Sequence, residues 1–239
     1  MVGVVWILLG QLAWALTPVP LSLDEAYLTA PAIQTQTQGG RCGPVCLSNA
    51  VSAAAHALGL KLPYAPQPAT EALAQKYLTR TGLTLSDAAR ATRELLQKIP
   101  QIEFYIEMFA TENGSRGTFP FEELSEIKPE DLAPTRPGYD FGYTLLYARF
   151  IREGVHHGTH TFLFFGRDAQ GHALLADPRA QQQVFRADFG EIEIEYPDGR
   201  LATIPTLRPL QASPVFKLVP RGIDPWITCG LRVSIRRRR

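Results

Sequence analysis

The feature that most constrains the fold is a change in the spacing of apolar residues part-way along the chain. Up to residue 98, apolar side chains recur at the three-to-four-residue spacing of one face of an α-helix. From residue 143 onward they form short runs separated by turn sequences, and residues 168–171 and 197–199 are typical of hairpins. Helices followed by hairpin-linked strands predict an α+β fold with an antiparallel sheet.

The same spacing predicts the individual elements. Helices are expected at residues 42–58, 69–79 and 86–98, with a short piece at 23–28 and one helical turn at 121–127. Strands are expected at 102–109, 143–151, 159–166, 172–176, 191–196, 201–204, 215–218 and 227–235, and a turn at 154–158. The strand at 159–166 is apolar on both faces, so we expect it in the middle of the sheet.

Residues 1–16 are almost wholly apolar and end in a small-x-small pattern, Ala13-Trp14-Ala15, which suits signal peptidase. The segment is short for a transmembrane helix. We interpret it as a signal for export to the periplasm or the cell exterior, with an uncleaved membrane anchor or a buried N-terminal strand as alternatives. Residues 17–239 are expected to form one domain, with a helical lobe at 34–100, a surface insertion at 111–141 and a sheet lobe at 143–235.

Charge and cysteine content exclude some classes of function. The net charge of +1 gives no field that would attract nucleic acid, and the basic run at 236–239 is typical of a solvated tail. The three cysteines are too few for a disulfide framework. Cys46 and Cys229 could still pair in an oxidising compartment, with Cys42 left as a free thiol.

Cys42 lies where a glycine-rich loop meets the start of a predicted helix. Gly43-Pro44 suits the first helical turn, because the missing N–H of proline would have no partner there. Unpaired amides and the positive end of the helix dipole favour a thiolate at this position. Cys42 is therefore a candidate nucleophile, although a cysteine beside a helix start can equally be a small buried core residue.

A cysteine nucleophile needs a base, and His160 is the best placed of the histidines. His160 opens the most apolar strand, where rigid backbone would hold its ring in place. His56 lies about 20 Å down the helix of Cys42, at about 1.5 Å per residue. The remaining histidines are in a predicted turn or an outer hairpin arm: His156, His157 and His172.

Asp177 is the acid expected to orient His160. If the 168–171 turn is centred on residues 169 and 170, residues whose numbers sum to 339 face each other across the hairpin. His160 then lies opposite Arg179, and Asp177 becomes its diagonal neighbour. That distance lets the carboxylate accept the imidazole N–H.

A side-chain amide upstream of the nucleophile can stabilise an oxyanion together with the amide of the cysteine itself. Gln36 lies six residues before Cys42, and Gln34 and Gln38 compete for the role on chemistry alone.

These residues occur in three segments: Gln36-x5-Cys42-Gly43-Pro44-x-Cys46-Leu47-x-Asn49-Ala50, residues 160–166, and Ala176-Asp177-Pro178. Together they resemble the papain-like cysteine peptidases that process double-glycine leaders of bacteriocins, including their free-standing exported relatives. The resemblance implies a papain-like α+β fold, with a helical lobe carrying the cysteine and an antiparallel sheet carrying the histidine and aspartate. It implies that Cys42 is the nucleophile, His160 the base, Asp177 its orienting acid and Gln36 the oxyanion donor.

The expected function is therefore a thiol hydrolase, most simply a cysteine peptidase that acts on a peptide or protein and needs no cofactor. A transamidase or deamidase would use the same groups, and a non-catalytic peptide-binding module could use the same fold. A metal site formed by His156, His157 and His160, with or without Cys42, is a further alternative, but its ligand spacing is loose for tetrahedral coordination.

Overall fold

The structure is a computed structural model that describes residues 21–80, 82–110, 125–126, 132, 135–152, 155–195, 199, 201–210 and 225–239. The predicted signal or anchor at 1–16, most of the 111–141 insertion and the predicted strand at 215–218 lie outside these residues. Across the described ranges, no helix combines the length and the apolar character needed to cross a membrane.

The helices precede the sheet, as the sequence predicts. They are α1 (Leu23–Thr29), α2 (Cys42–Ala57), α3 (Pro66–Tyr77) and α4 (Leu85–Leu96). Gly59 ends the α2 region with a φ of +63°, a conformation that glycine adopts without steric cost. Thr84 caps α4, because its hydroxyl accepts the N–H of Asp87. The three long predicted helices are thus confirmed to within a few residues at each end.

The strands are β1 (Ile102–Ala110), β2 (Ser125–Glu126), β3 (Phe141–Arg152), β4 (Val155–Arg167), β5 (Ala173–Ala176), β6 (Val184–Glu195), β7 (Leu201–Pro209) and β8 (Pro225–Arg237). They form one sheet in the order β2-β1-β8-β3-β4-β5-β6-β7. Among the described strands, neighbours run antiparallel except β1 and β2, which are parallel. The fold is α+β, as predicted.

The sheet closes on itself. Strand β7 also pairs with β8 at Thr206 and Trp226, so six strands form a ring from β8 through β3 to β7. One core lies between the helices and one face of this sheet, and contains Leu47, Val51 and Leu163. A second core lies on the opposite face, and contains Phe162 and Leu175. Because neighbouring strand residues point to opposite faces, β4 contributes to both cores.

Two predictions of local structure are wrong. The turn expected at 154–158 is partly strand, because β3 extends to Arg152 and pairs with the chain from Val155 onward across a bulge. The helical turn expected at 121–127 is contradicted at Ser125–Glu126, which pair in parallel with the end of β1. Strand β6 also begins seven residues earlier than expected, at 184 rather than 191, because residues 184–187 pair with β5.

Candidate active site

Cys42 is the first residue of α2 and is partly exposed to solvent. Arg41 precedes it at the N-cap position and gives no side-chain cap to the helix. The first amides of α2 therefore lack a capping side chain, and the positive end of the helix dipole acts on the thiol. The predicted placement of Cys42 at a helix start is confirmed.

His160 and Asp177 are hydrogen-bonded to each other inside the protein. The distance from His160 Nε2 to Asp177 Oδ1 is 3.0 Å, and the two side chains are 3% and 0% exposed. Next to the turn the hairpin register is one residue off the predicted one, since Arg167 faces Ala173. A bulge between Phe164 and Gly166 shifts it to the predicted register, in which Leu163 faces Ala176. The ring of Phe162 meets the imidazole edge-on, with centroids 4.8 Å apart, and limits its rotation.

The same histidine lies close enough to the Cys42 thiol for the two groups to shift each other's pKa. Since Nε2 is bound to Asp177, Nδ1 is the ring nitrogen that can face the sulfur. Burial opposes a charge on Cys42, but the hydrogen bond and charge of His160, with hydrogen bonds from Thr161, lower the pKa of the thiol. Burial likewise opposes a charge on His160, but Asp177 and Cys42 raise its pKa. Both directions favour a thiolate–imidazolium pair.

Asp177 is held by the backbone that follows it. Its Oδ1 also accepts the N–H of Arg179 at 2.9 Å, which fixes the carboxylate at the end of β5. Its Oδ2 is buried and makes no hydrogen bond within the described part of the chain. The carboxylate is thus restrained in the orientation that binds His160.

The structure separates the three glutamines that the sequence left open. Both amide hydrogens of Gln34 have partners, Ser48 Oγ at 3.1 Å and Thr70 Oγ1 at 3.0 Å. Gln38 is exposed. The N–H of Gln36 donates to the carbonyl of Pro178 at 2.6 Å, which joins its loop to the residue after Asp177. Gln36 is therefore the glutamine tied to the site.

The Gln36 side chain points back into its own loop. Its Nε2 donates to the carbonyl of Gln38 at 2.7 Å, and its Oε1 is buried without a hydrogen bond among the described residues. One hydrogen of Nε2 is used in this contact, and the second remains for another acceptor.

The other two cysteines are core residues. All three cysteines of the chain are described, and all three are free, so Cys46 and Cys229 do not form the pair that the sequence allowed. Burial raises the pKa of Cys46 and that of Cys229, the latter to about 11. The Cys46 thiol donates to the carbonyl of Thr161 at 3.3 Å. Neither has the environment of a nucleophile.

No group of three or more His, Cys, Asp or Glu residues close enough to hold a metal ion occurs among the described side chains. His156 and His157, which the metal hypothesis requires, have side chains outside that set. The hypothesis remains an untested alternative.

Sequence reasoning missed residues that hold the site together. Thr161 contacts both Cys42 and Cys46, and Asn49 of α2 binds the backbone of Gln34 through both its oxygen and its nitrogen. Strand alternation is the signal that could have found Thr161, because it places residue 161 on the same face as Leu163, which packs in the core with α2. Asn49 joins α2 to an irregular loop, and no periodic pattern in the sequence predicts this contact.

Comparisons of the chain with models of protein families, with curated proteins and with solved structures found no match.

Proposed function

We propose that this protein is a thiol hydrolase, most simply a cysteine peptidase with a papain-like arrangement of lobes. One observation carries the proposal: a cysteine at a helix start lies beside the imidazole of a buried histidine–aspartate pair, close enough for the thiol and the imidazole to shift each other's pKa. The pairing supplies a nucleophile, a proton carrier and an orienting acid, which are the parts that acyl transfer needs.

In the proposed reaction, Cys42 Sγ attacks the substrate carbonyl carbon and forms a C–S bond. The oxyanion is held by the backbone N–H of Cys42 and by the free amide hydrogen of Gln36, which requires the Gln36 side chain to turn toward the substrate. His160 donates its proton to the leaving amine as the C–N bond breaks. Water then attacks the thioester, with His160 as general base, and the free thiol and acid are released.

Two related functions use the same geometry. In a transamidase, an amine replaces water in the second step, and in a deamidase the leaving group is ammonia. A peptide-binding module would leave the Cys42–His160 contact without a chemical role. We favour the hydrolase because the lowered thiol pKa and the raised histidine pKa both serve turnover. We further propose that the protein is exported through its apolar residues 1–16.

Replacement of Cys42 tests the proposal. We expect Cys42→Ala to abolish cleavage of a broad peptide mixture, read by mass spectrometry, while the melting temperature stays close to that of the wild type. The side chain is partly exposed, so its removal opens no closed cavity.

Cys46→Ala is the matched control, because Cys46 lies on the same helix and is 1% exposed. We expect the opposite result for this variant: peptide cleavage is kept and the melting temperature falls. A large loss of stability in Cys42→Ala, with cleavage retained, would show that Cys42 is a core residue. Peptides that bind the wild type without being cleaved would favour the binding module.

A further inference from the structure

A cavity lies next to the start of α2, and His160 is not among its lining residues. It has a volume of about 240 Å³ and lies between α2, α3 and the loop that carries Gln36. Its polar lining includes Thr37, Arg41, Gln67 and Glu71. Cys42 does not line it, although Arg41, the preceding residue, does. An occupant would therefore be a neighbour of the scissile bond and not the group that is attacked.

An ion pair between Arg41 and Glu71 forms one wall of this cavity. The two side chains are 22% and 44% exposed, and they join the N-cap of α2 to the first turns of α3. The contact uses Arg41 Nη1 and Glu71 Oε2. Arg41 keeps further N–H donors and Glu71 keeps Oε1 as an acceptor, so the wall offers both kinds of hydrogen bond side by side.

The charge of the wall discriminates between occupants. A carboxylate would compete with Glu71 for Arg41 and would face a like charge. An ammonium or guanidinium group would compete with Arg41 for Glu71 and would face the like charge of Arg41. A carboxamide carries one acceptor and two donors without net charge, so it can bind both members of the pair while leaving that pair intact. Gln34 Nε2 does not compete for this role, because its hydrogens are bonded to Ser48 and Thr70.

We propose that this cavity is a substrate subsite that selects a side-chain carboxamide, asparagine or glutamine, at a position flanking the scissile bond. The proposal rests on the proposed hydrolase for its biological meaning, but the binding it describes can be measured without turnover. It assigns Arg41 and Glu71 as specificity-determining residues.

The test uses two variants, each of which removes one charge of the ion pair and leaves the other charge unpaired. Arg41→Gln leaves Glu71 unpaired, so we expect the preferred residue at one peptide position to change from asparagine or glutamine to lysine or arginine. Glu71→Gln frees Arg41, so we expect a change to aspartate or glutamate at the same position. Each preference should change by roughly tenfold, because the freed charge is partly shielded from solvent.

Two readouts are taken on a randomised peptide library. The first is the cleavage pattern of the active protein, and the second is the set of peptides retained by the same variants in a Cys42→Ala background. Glu94→Gln is the control, because Glu94 makes an ion pair with Lys76 at 2.7 Å on the outer side of α3. Its residue preferences should match those of the unmodified protein.

The outcomes separate the two proposals. Reciprocal changes in both readouts support the subsite. Reciprocal changes in peptide retention without cleavage by the wild type support the subsite and overturn the hydrolase. Preferences that do not respond to Arg41→Gln or Glu71→Gln in correctly folded variants overturn the subsite, whether or not peptides are cleaved. A library that is neither cleaved nor retained overturns both.

Discussion

Asp177 is the most deeply buried side chain of the candidate site, and its carboxylate has two assigned tasks. It accepts a hydrogen bond from His160 Nε2 and one from the N–H of Arg179. The first contact orients the imidazole and raises its pKa, and the second holds the carboxylate still. A substitution of Asp177 should therefore change the orientation and the pKa of the His160 imidazole, while the imidazole itself stays in the site.

We predict that Asp177→Asn lowers kcat/KM by about 10²- to 10⁴-fold, because the amide no longer fixes the imidazole orientation. The pH profile should change as well. In the proposed reaction His160 donates its proton to the leaving amine, so we expect activity to fall as the pH rises through its pKa. Because Asp177 raises that pKa, its loss should move the alkaline limb of the pH–kcat/KM profile to lower pH.

Asp188→Asn is the matched control for that measurement. Asp188 also binds a histidine, His172, at 2.6 Å, but this pair is part-exposed and joins the residue before β5 to β6. The control should keep both the activity and the alkaline limb. An alkaline limb that does not move in Asp177→Asn would contradict the assigned role of Asp177.

For individual residues, the sequence predicted the contact between His160 and Asp177 but not the residues that hold the site in place. The contact between His160 and Asp177 followed from counting back along one hairpin. The count is one residue off next to the turn, where Arg167 faces Ala173, and it is right at Leu163 because a bulge between Phe164 and Gly166 shifts the register by one. Thr161 and Phe162 hold Cys42 and His160, but they read as ordinary members of an apolar strand. The choice of Gln36 over Gln34 depends on hydrogen bonds to distant residues, which no local pattern encodes.

The loop before α2 is positioned by the helix itself. Asn49 is fully buried, accepts the N–H of Gln34 at 2.8 Å, and donates to the Gln34 carbonyl at 2.8 Å. The loop is thereby bound at Gln34, two residues before Gln36, to the first half of the helix that carries Cys42. The helix therefore holds both Cys42, the proposed nucleophile, and the loop of Gln36, the proposed oxyanion donor.

We predict that Asn49→Ala lowers the free energy of unfolding by about 2–3 kcal/mol, because it leaves two backbone groups of Gln34 without partners. It should also lower kcat/KM at temperatures where the variant is fully folded, since the Gln36 loop loses its anchor. Urea denaturation and peptide cleavage measure the two effects.

Ser52→Ala is the control on the same helix, because its hydroxyl only donates to the carbonyl of Ser48 one turn back. We expect a loss of about 1 kcal/mol or less and unchanged kcat/KM. Equal kinetic effects in the two variants would show that Asn49 acts on stability alone.

The ends of the helices were largely predictable where a glycine or a proline marks them. Gly59 follows the end of α2, and Pro66 begins α3, one turn before the predicted start at 69. Residues 155–158 and 184–190 were missed because their strand character comes from pairing with β3, β5 and β7, not from their own apolar spacing.

In the whole molecule, one sheet separates two cores. The sheet is tightly packed where β8 lies between β1 and β3. A Cβ added to Gly230 would overlap the ring of Phe109 and lie 2.8 Å from the carbonyl oxygen of Leu145. Backbone and ring both obstruct the added methyl, so the sheet or the ring must shift.

We predict that Gly230→Ala lowers the free energy of unfolding by about 1–3 kcal/mol, measured by urea denaturation. Gly39→Ala is the control, because nothing lies within 4 Å of the added Cβ there. A Gly230→Ala protein as stable as the wild type would contradict the packing of Phe109 against β8.

The closure of the sheet was not predictable from the sequence. Strands β7 and β8 meet at Thr206 and Trp226, and β1 joins β8 across more than a hundred residues. Such pairings are set by which apolar faces must be covered together, and the α+β class follows from element order without them.

We propose that Cys42 and His160 form a thiolate–imidazolium pair. The most direct test is the pH dependence of Cys42 alkylation by iodoacetamide, with mass-spectrometric fragment ions to distinguish Cys42 from buried Cys46. It is measured in the wild type, in His160→Ala, and in His172→Ala as the control. We predict a midpoint well below the ordinary thiol value of about 8.5 in the wild type and the control, and a return toward that value in His160→Ala. A midpoint near the ordinary thiol value that does not respond to the loss of His160 would contradict the thiolate–imidazolium pair.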